Sequence, residues 1–137
     1  MRTENVISLG TGKGQLELIK QLSKFFNVIG IDQNKKAIAF KLCKYKIFRS
    51  TFDYQGIITE LKKKKLKYSF VLCRSSGKAL LTQSLLLQHI KKKGINPNSI
   101  IEILNKKKFI KKLELHKVRT IKIINKKNIK KYKKNFV

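Results

Sequence analysis

Short apolar runs and stretches with helical spacing alternate along the first two-thirds of the chain. The apolar runs are typical of buried strands and span residues 5–9, 28–32, 47–48 and 68–73. The helical stretches cover residues 15–26, a segment capped by Asn34, a segment capped by Asp53, and residues 79–89. This order predicts an α/β fold: a Rossmann-like, doubly wound parallel sheet with helices on both faces and right-handed crossovers.

The pattern changes after Gly94. Residues 96–99 predict a loop and a helix cap, residues 100–104 a short helix, and residues 106–115 an amphipathic helix. Residues 120–124 alternate between polar and apolar side chains as a strand does. We therefore expect a first domain over residues 1–94, followed by linker helices and a further strand over residues 95–137.

The length and the apolar content fit a domain with its own core. The chain has 137 residues, of which 42% are hydrophobic, and this excludes a disordered polybasic tail. No apolar run is long enough to span a membrane, and the N-terminus lacks the apolar region of a signal peptide. We expect no membrane partner. Cys43 and Cys73 lie in periodic segments, which is typical of small core residues in a cytoplasmic protein.

The charge is strongly positive, since 34 Lys and Arg residues against 7 Asp and Glu residues give a formal net charge of +27. Such a charge attracts polyanions without sequence preference. Thirty of the basic residues are Lys and four are Arg, whereas phosphate and base recognition favours the bidentate Arg fork. Lys, Ile and Asn share A/T-rich codons, so mutational drift of the genome towards A+T raises all three together. On this interpretation the extra lysines lie on solvated surfaces and have no binding role. A stand-alone basic module that binds nucleic acid or protein is the alternative function.

Three candidate features follow predicted strands: the glycine loop 10–14, Asp32, and the loop 74–77. Because ligands bind outside the carboxyl ends of strands in such sheets, these features predict one site. The glycines allow main-chain N–H groups to approach an anion at a helix N-terminus. A nicotinamide-dinucleotide fingerprint needs a third glycine where Gln15 stands, so this cofactor is disfavoured.

The same loop is compatible with a methyltransferase that uses S-adenosylmethionine. Leu9-Gly-Thr-Gly-Lys-Gly14, followed by an acidic tip on the second strand, resembles the cofactor loop of that family. However, Ser8 stands where an acidic residue is usual, and the fourth strand ends in Arg-Ser-Ser-Gly. A methyltransferase-like domain is therefore the second alternative.

A third resemblance extends over most of the chain. Six features occur in the order found in the N-terminal, pre-ATP-grasp domain of ATP-grasp ligases, a superfamily that includes carbamoyl-phosphate synthase, biotin carboxylase and carboxylate–amine ligases. They are Gly14-Gln15-Leu16, Asp32, the segment 40–45, Phe52-Asp53-Tyr54, the strand and loop 71–77, and the helix that begins at Asn105-Lys106. The sequence is thus similar to the front portion of an ATP-dependent carboxylate–amine or carboxylate–thiol ligase.

The resemblance implies that loops at the carboxyl edge of the sheet bind substrate. In this family the N-terminal domain shapes the pocket for a small carboxylate or amine. The residues expected to line or adjoin that pocket are Gly10, Gly12, Gln15, Asp32, Arg74, Ser75 and Ser76. Lys106 aligns with the first of two lysines that the family uses on ATP phosphates.

The resemblance also implies what the chain would need from elsewhere. The sequence ends before the family's second ATP lysine and its metal-binding carboxylates, so residues 95–137 would bridge to a truncated ATP-grasp domain. We expect ATP and Mg²⁺ only where the rest of that domain is supplied, and no metal site, bound cofactor or catalysis by this chain alone. A fragment, a truncated gene product and a subunit remain open, with a homodimer or a complementing ATP-grasp chain as possible assemblies.

Overall fold

The chain divides into two units, residues 1–101 and 102–137, and the computed structural model describes residues 4–120. The first unit contains a four-stranded, fully parallel sheet in the order β3-β2-β1-β4. The strands are β1 Asn5–Leu9, β2 Asn27–Ile31, β3 Tyr45–Ile47 and β4 Phe70–Cys73. The helices are α1 Leu16–Phe25, α2 Tyr54–Lys63, α3 Lys78–His89, α4 Pro97–Leu104 and α5 Lys106–Leu115.

Two separate apolar clusters cover the two faces of the sheet. On one face, alternate strand residues such as Ile7, Ile29 and Val71 pack with the buried sides of α2 and α3. On the opposite face, Val6 and Val28 pack with α1 and with a 3₁₀ segment at Ile38–Leu42. Because neighbouring strand residues point to opposite faces, the apolar runs of β1 and β2 are buried along nearly their whole length. The doubly wound α/β prediction is confirmed.

The predicted helix after Asn34 is wrong, because tertiary contacts take up its main-chain groups. The N–H of Ala39 donates to the carbonyl oxygen of Thr11 at 3.0 Å, so it has no helical partner. Phe40 and Cys43 instead donate to carbonyls three residues earlier, as 3₁₀ geometry requires. Asn34 closes a local turn in which its Oδ1 accepts from the Lys36 N–H at 3.0 Å.

A glycine in the middle of β2 lets this 3₁₀ segment lie close to the sheet. A Cβ atom at Gly30 would stand 2.6 Å from the Cys43 Sγ and 2.8 Å from the Thr11 Cγ2. The Cys43 side chain fills the space and lies in the core, as the sequence predicted. Burial raises the pKa of the Cys43 thiol to about 11, so the thiol is protonated at neutral pH.

The predicted cap of α2 is confirmed. The Asp53 Oδ1 accepts from the Gly56 N–H at 2.9 Å, which satisfies one of the free donors of the first turn. Ile57, Ile58 and Leu61 then face the core, at the spacing of one helix face. By contrast, Phe25, the last residue of α1, is 70% exposed.

In the second unit, α5 begins where the sequence predicted. The Asn105 Oδ1 caps it by accepting from the Lys108 N–H at 3.1 Å. Phe109, Ile110 and Leu113 are half-buried, while the lysines of α5 are exposed. The predicted strand at 120–124 lies outside the described residues, apart from Thr120. No helix among residues 4–120 is both long and apolar enough to cross a membrane.

Candidate functional site

The strand order reverses at β1. The chain proceeds from β1 outward to β2 and β3 on one side, then returns to place β4 on the other side of β1. The loops that leave the carboxyl ends of β1 and β4 therefore diverge, and this is where doubly wound sheets open a crevice for ligands. The glycine loop and the loop 74–77 are those two loops.

A cleft of about 230 Å³ lies at this carboxyl edge. It brings together five of the predicted site residues from three separate loops. The predicted residues that line it are Gly10, Gly12, Gln15, Asp32 and Ser75. Their shared location is a geometric finding, while their role in binding substrate stays a prediction.

Gln15 connects the two diverging loops. Its Nε2 lies 3.5 Å from the Ser75 Oγ, at the long limit of a hydrogen bond, so the amide leans from the β1 loop towards the β4 loop. Its side chain also lies against Gly10, where a Cβ atom would stand 3.3 Å from the Gln15 Cδ. Gly10 has a φ of +94°, a conformation that side chains disfavour. Glycine at position 10 thus allows the chain to turn and leaves room for the Gln15 side chain.

Asp32 holds the glycine loop from the tip of β2. Its Oδ2 accepts from the Thr11 N–H at 2.9 Å and from the Thr11 hydroxyl at 3.3 Å. Its Oδ1 accepts from the Asn34 N–H at 2.9 Å. Both carboxylate oxygens are therefore engaged by the protein, which gives Asp32 a positioning role at the cleft wall.

Arg74 and Ser76 were predicted site residues but do not line the cleft. The Arg74 Nη1 donates to the carbonyl oxygen of Gly14 at 3.2 Å, so the guanidinium links the β4 loop to the end of the glycine loop. Ser76 is exposed in the same loop. A guanidinium has five N–H donors, so Arg74 keeps donors beyond this bond. Arg74 directly precedes Ser75, which lines the cleft.

Cys73 ends β4 beside the cleft. Its thiol donates to the Ser75 carbonyl at 3.8 Å, and burial raises the pKa of the Cys73 thiol. A thiol with a raised pKa stays protonated at neutral pH and is a poor nucleophile. The site thus offers hydrogen-bonding side chains such as Gln15 and Ser75, without an activated nucleophile at Cys73.

The sequence prediction missed four residues of the cleft. They are Gln33, which follows Asp32, and Ser50, Thr51 and Phe52, which follow β3. Phe52 is 59% exposed and presents an aromatic ring at the cleft. The rule that ligands bind at the carboxyl ends of strands would have found residues 50–52, had it been applied to the third strand as well.

The predicted ATP residue lies in the other unit. Lys106 is exposed at the start of α5. Within residues 4–120, no three His, Cys, Asp or Glu side chains lie close enough to share a metal ion. The described residues therefore do not provide the set of carboxylates that Mg²⁺ prefers.

These features define a class: a doubly wound α/β domain with a cleft where the strand order reverses. Within that class, the fold is that of the N-terminal portion of ATP-grasp ligases. The chain is similar to phosphoribosylglycinamide synthetase from Anaerococcus prevotii, with a TM-score of 0.72, 17% identity, and coverage of 96% of this chain and 34% of that one.

Two further solved structures agree with this match. N5-carboxyaminoimidazole ribonucleotide synthetase from Thermotoga maritima gives a TM-score of 0.63 at 16% identity, over 96% of this chain and 36% of that one. N5-carboxyaminoimidazole synthetase from Staphylococcus aureus, solved with ADP, gives a TM-score of 0.64 at 12% identity, over 98% of this chain and 36% of that one. The chain thus spans about a third of the length of these structures. No protein-family model and no curated protein matches the sequence.

Proposed function

We propose that this chain is the substrate-binding N-terminal portion of an ATP-grasp ligase, of the type that joins a carboxylate to an amine or thiol. The observation that carries the proposal is the structural match along 96% of the chain to the front portion of phosphoribosylglycinamide synthetase. The cleft of about 230 Å³ at the carboxyl edge supports it, because five residues implied by the resemblance meet there.

The proposed substrate is a small carboxylate or amine that carries an anionic group. Cationic side chains flank both loops and favour an anion: Lys13 beside Gly12, and Arg74 and Lys78 around Ser75. The solved relatives are named for a phosphoribosyl product and a ribonucleotide product. A phosphate-bearing amine is therefore the first substrate class to test.

The proposal assigns no catalytic step to this chain alone. ATP and Mg²⁺ would bind where the remainder of an ATP-grasp domain is supplied, by a longer form of the chain or by a complementing chain, and there they would activate a carboxylate by phosphorylation. Lys106 is the proposed contribution of this chain to ATP binding. We place the protein in the cytoplasm, where such substrates and free thiols such as Cys43 and Cys73 are found.

The test is a titration of the isotope-labelled full chain, followed by the amide NMR signals of the protein. We expect ribose 5-phosphate, as a stable probe, to shift the amide signals of Gly10, Gly12 and Ser75. Gln15→Ala should weaken that binding about tenfold, because Gln15 forms the wall between the two loops. Gln21→Ala is the matched control, since Gln21 is exposed on α1 and bonds only to nearby Glu17.

Two results would contradict the proposal. One is a set of shifts spread over the lysine-rich surface and abolished by moderate salt, which would favour the basic interaction module. The other is tight binding of S-adenosylmethionine in the same cleft with no effect of the phosphate probe, which would favour the methyltransferase-like alternative.

A further inference from the structure

A groove of about 530 Å³ lies beside β4, on the face of the sheet that carries α1. Its apolar lining comes from Val6 of β1, Leu22 and Phe26 near the end of α1, and Phe70 and Leu72 of β4. We call it the β4 groove. It is separate from the substrate cleft, because it shares none of the residues that line the cleft.

The two faces of β4 are covered very differently. On one face, Val71 is completely buried beneath α3, and the Gln83 Nε2 of α3 donates to the Val71 carbonyl at 2.9 Å. On the other face, Phe70 is 42% exposed and Leu72 is half-buried at the groove. β4 is also an edge strand, since β1 is its partner within the described sheet. Apolar side chains in this position are typical of an interaction surface.

The rim of the β4 groove is cationic. Lys92 and Lys93, which follow the end of α3, line it together with Glu4 and Ser69. Both lysines are exposed, and neither forms an ion pair with another residue in the described part of the chain. Two cations beside one carboxylate leave the rim with a net positive charge.

A smaller cavity extends this surface along the sheet edge. It measures about 200 Å³ and shares Phe70 and Lys93 with the β4 groove. Ile95, which is 58% exposed, also lines it. The lined surface therefore continues from Phe70, the first residue of β4, to Lys93 and Ile95, which gives room for an extended segment.

Charge decides between the possible occupants. A second copy of the chain would bring another net charge of +27 against the same rim, and self-association would be opposed by repulsion. An acidic partner would instead gain from the uncompensated lysines while its apolar side chains leave water. We propose that the β4 groove docks an acidic segment of another protein, with apolar side chains against Phe70 and Leu72 and carboxylates beside Lys92 and Lys93.

The experiment measures binding of labelled short peptides to the full chain by fluorescence anisotropy at physiological ionic strength. The probe is a peptide in which leucines are spaced by glutamates. One comparison peptide has serine in place of leucine, and another has lysine in place of glutamate. We expect only the glutamate–leucine peptide to bind, because the groove requires both the apolar contact and the charge.

Variants then locate the binding. Lys92→Glu combined with Lys93→Glu should weaken the peptide at least about tenfold, and Phe70→Ala should weaken it separately. Lys62→Glu combined with Lys63→Glu reverses two exposed charges at the end of α2 and is the matched control, expected to change binding less than about twofold. The two lysine pairs are exposed, so folding of these variants is expected to be retained; thermal melts verify it.

Four outcomes would overturn the proposal. If the serine peptide bound as tightly as the leucine peptide, or if both lysine variants lost the same affinity, the binding would be a general attraction of anionic peptides to the basic surface. Single-stranded RNA would be assigned to the groove if it displaced the peptide and also bound more weakly to the Lys92/Lys93 variant. Dimerisation of the free chain that is lost in Phe70→Ala would assign it to a second copy.

Discussion

At the tip of β2, the Asp32 carboxylate makes hydrogen bonds that hold two loops at once. It accepts from the Thr11 N–H in the glycine loop and from the Asn34 N–H in its own loop, each at 2.9 Å. Thr11 is completely buried, so its N–H would lose a partner that water could not replace. The carboxylate therefore stabilises the conformation on which the cleft depends.

Replacing Asp32 by Asn should destabilise the protein by about 1–3 kcal/mol, because one of the two accepting oxygens becomes an NH₂ group that faces an N–H donor. Urea denaturation measures this loss. Asp53→Asn is the matched control: it makes the same chemical change at the cap of α2, where Asn also caps well, and should cost only a few tenths of a kcal/mol. Equal costs at the two positions would show that the Asp32 bonds have no special weight.

Among single residues, those whose position follows from the backbone pattern were predictable from the sequence. Gly10 and Gly12 follow a strand and precede a helix, and such glycines mark a loop that a ligand can approach. Arg74 was harder to place, because a long flexible side chain has several partners within reach of one backbone position. Its bond to the Gly14 carbonyl depends on how the β1 and β4 loops meet, and that is a tertiary property.

At the scale of the elements, three helices end in the same way. After α2, α3 and α5, the chain turns through a left-handed residue, and the N–H of that residue and the N–H of the next one bond back to the helix in the Schellman pattern. The left-handed residues are Lys65, Lys91 and Lys117, with φ between 52° and 56°. Glycine is the usual residue in this position, so lysine here supports drift towards Lys as the origin of part of the charge.

Lys65→Gly should stabilise the protein by about 0.5–1 kcal/mol, because glycine adopts the left-handed conformation without steric strain. Lys62→Gly is the matched control, since it removes the same charge from within α2, where glycine costs about 1 kcal/mol. Thermal unfolding of both variants gives the comparison. The explanation fails if the two substitutions shift the melting temperature in the same direction.

Most of the elements were predictable from the spacing of apolar residues, and the exceptions have physical causes. β1, α3 and α5 lie within a residue of the predicted bounds, since each has strong periodicity or a clear end signal. The helix after Asn34 was predicted from the same kind of spacing. It failed because Thr11, distant in sequence, takes the N–H of Ala39. The spacing of residues within a segment carries no information about a hydrogen bond that a distant loop makes to that segment.

At the scale of the whole molecule, the net charge of +27 opposes compactness. The described ion pairs, such as Lys20–Glu17 and Arg49–Glu60, lie at the surface, where each contributes little to stability. The repulsion among the lysines should therefore outweigh the attraction within these ion pairs.

We accordingly expect added salt to stabilise the protein against urea by about 1 kcal/mol or more between low and physiological ionic strength, because salt screens the repulsion. The midpoint of urea unfolding at several sodium chloride concentrations measures the effect. Potassium chloride serves as the control for a specific sodium effect. A midpoint that falls as salt is added would mean that ion pairs dominate.

The sequence by itself determined the α/β class, the positions of most elements and five of the residues at the cleft. It could do so because burial periodicity, glycine turns and strand ends are local properties of the chain. The tertiary structure decided which loops meet, and so placed Gln15 beside Ser75, Asp32 on the Thr11 N–H, and Ser50–Phe52 at the cleft. It also left Phe70 of β4 partly exposed in a groove whose rim carries Lys92 and Lys93, which form no ion pair within residues 4–120. These features depend on distances between segments far apart in the chain, and no local pattern encodes them.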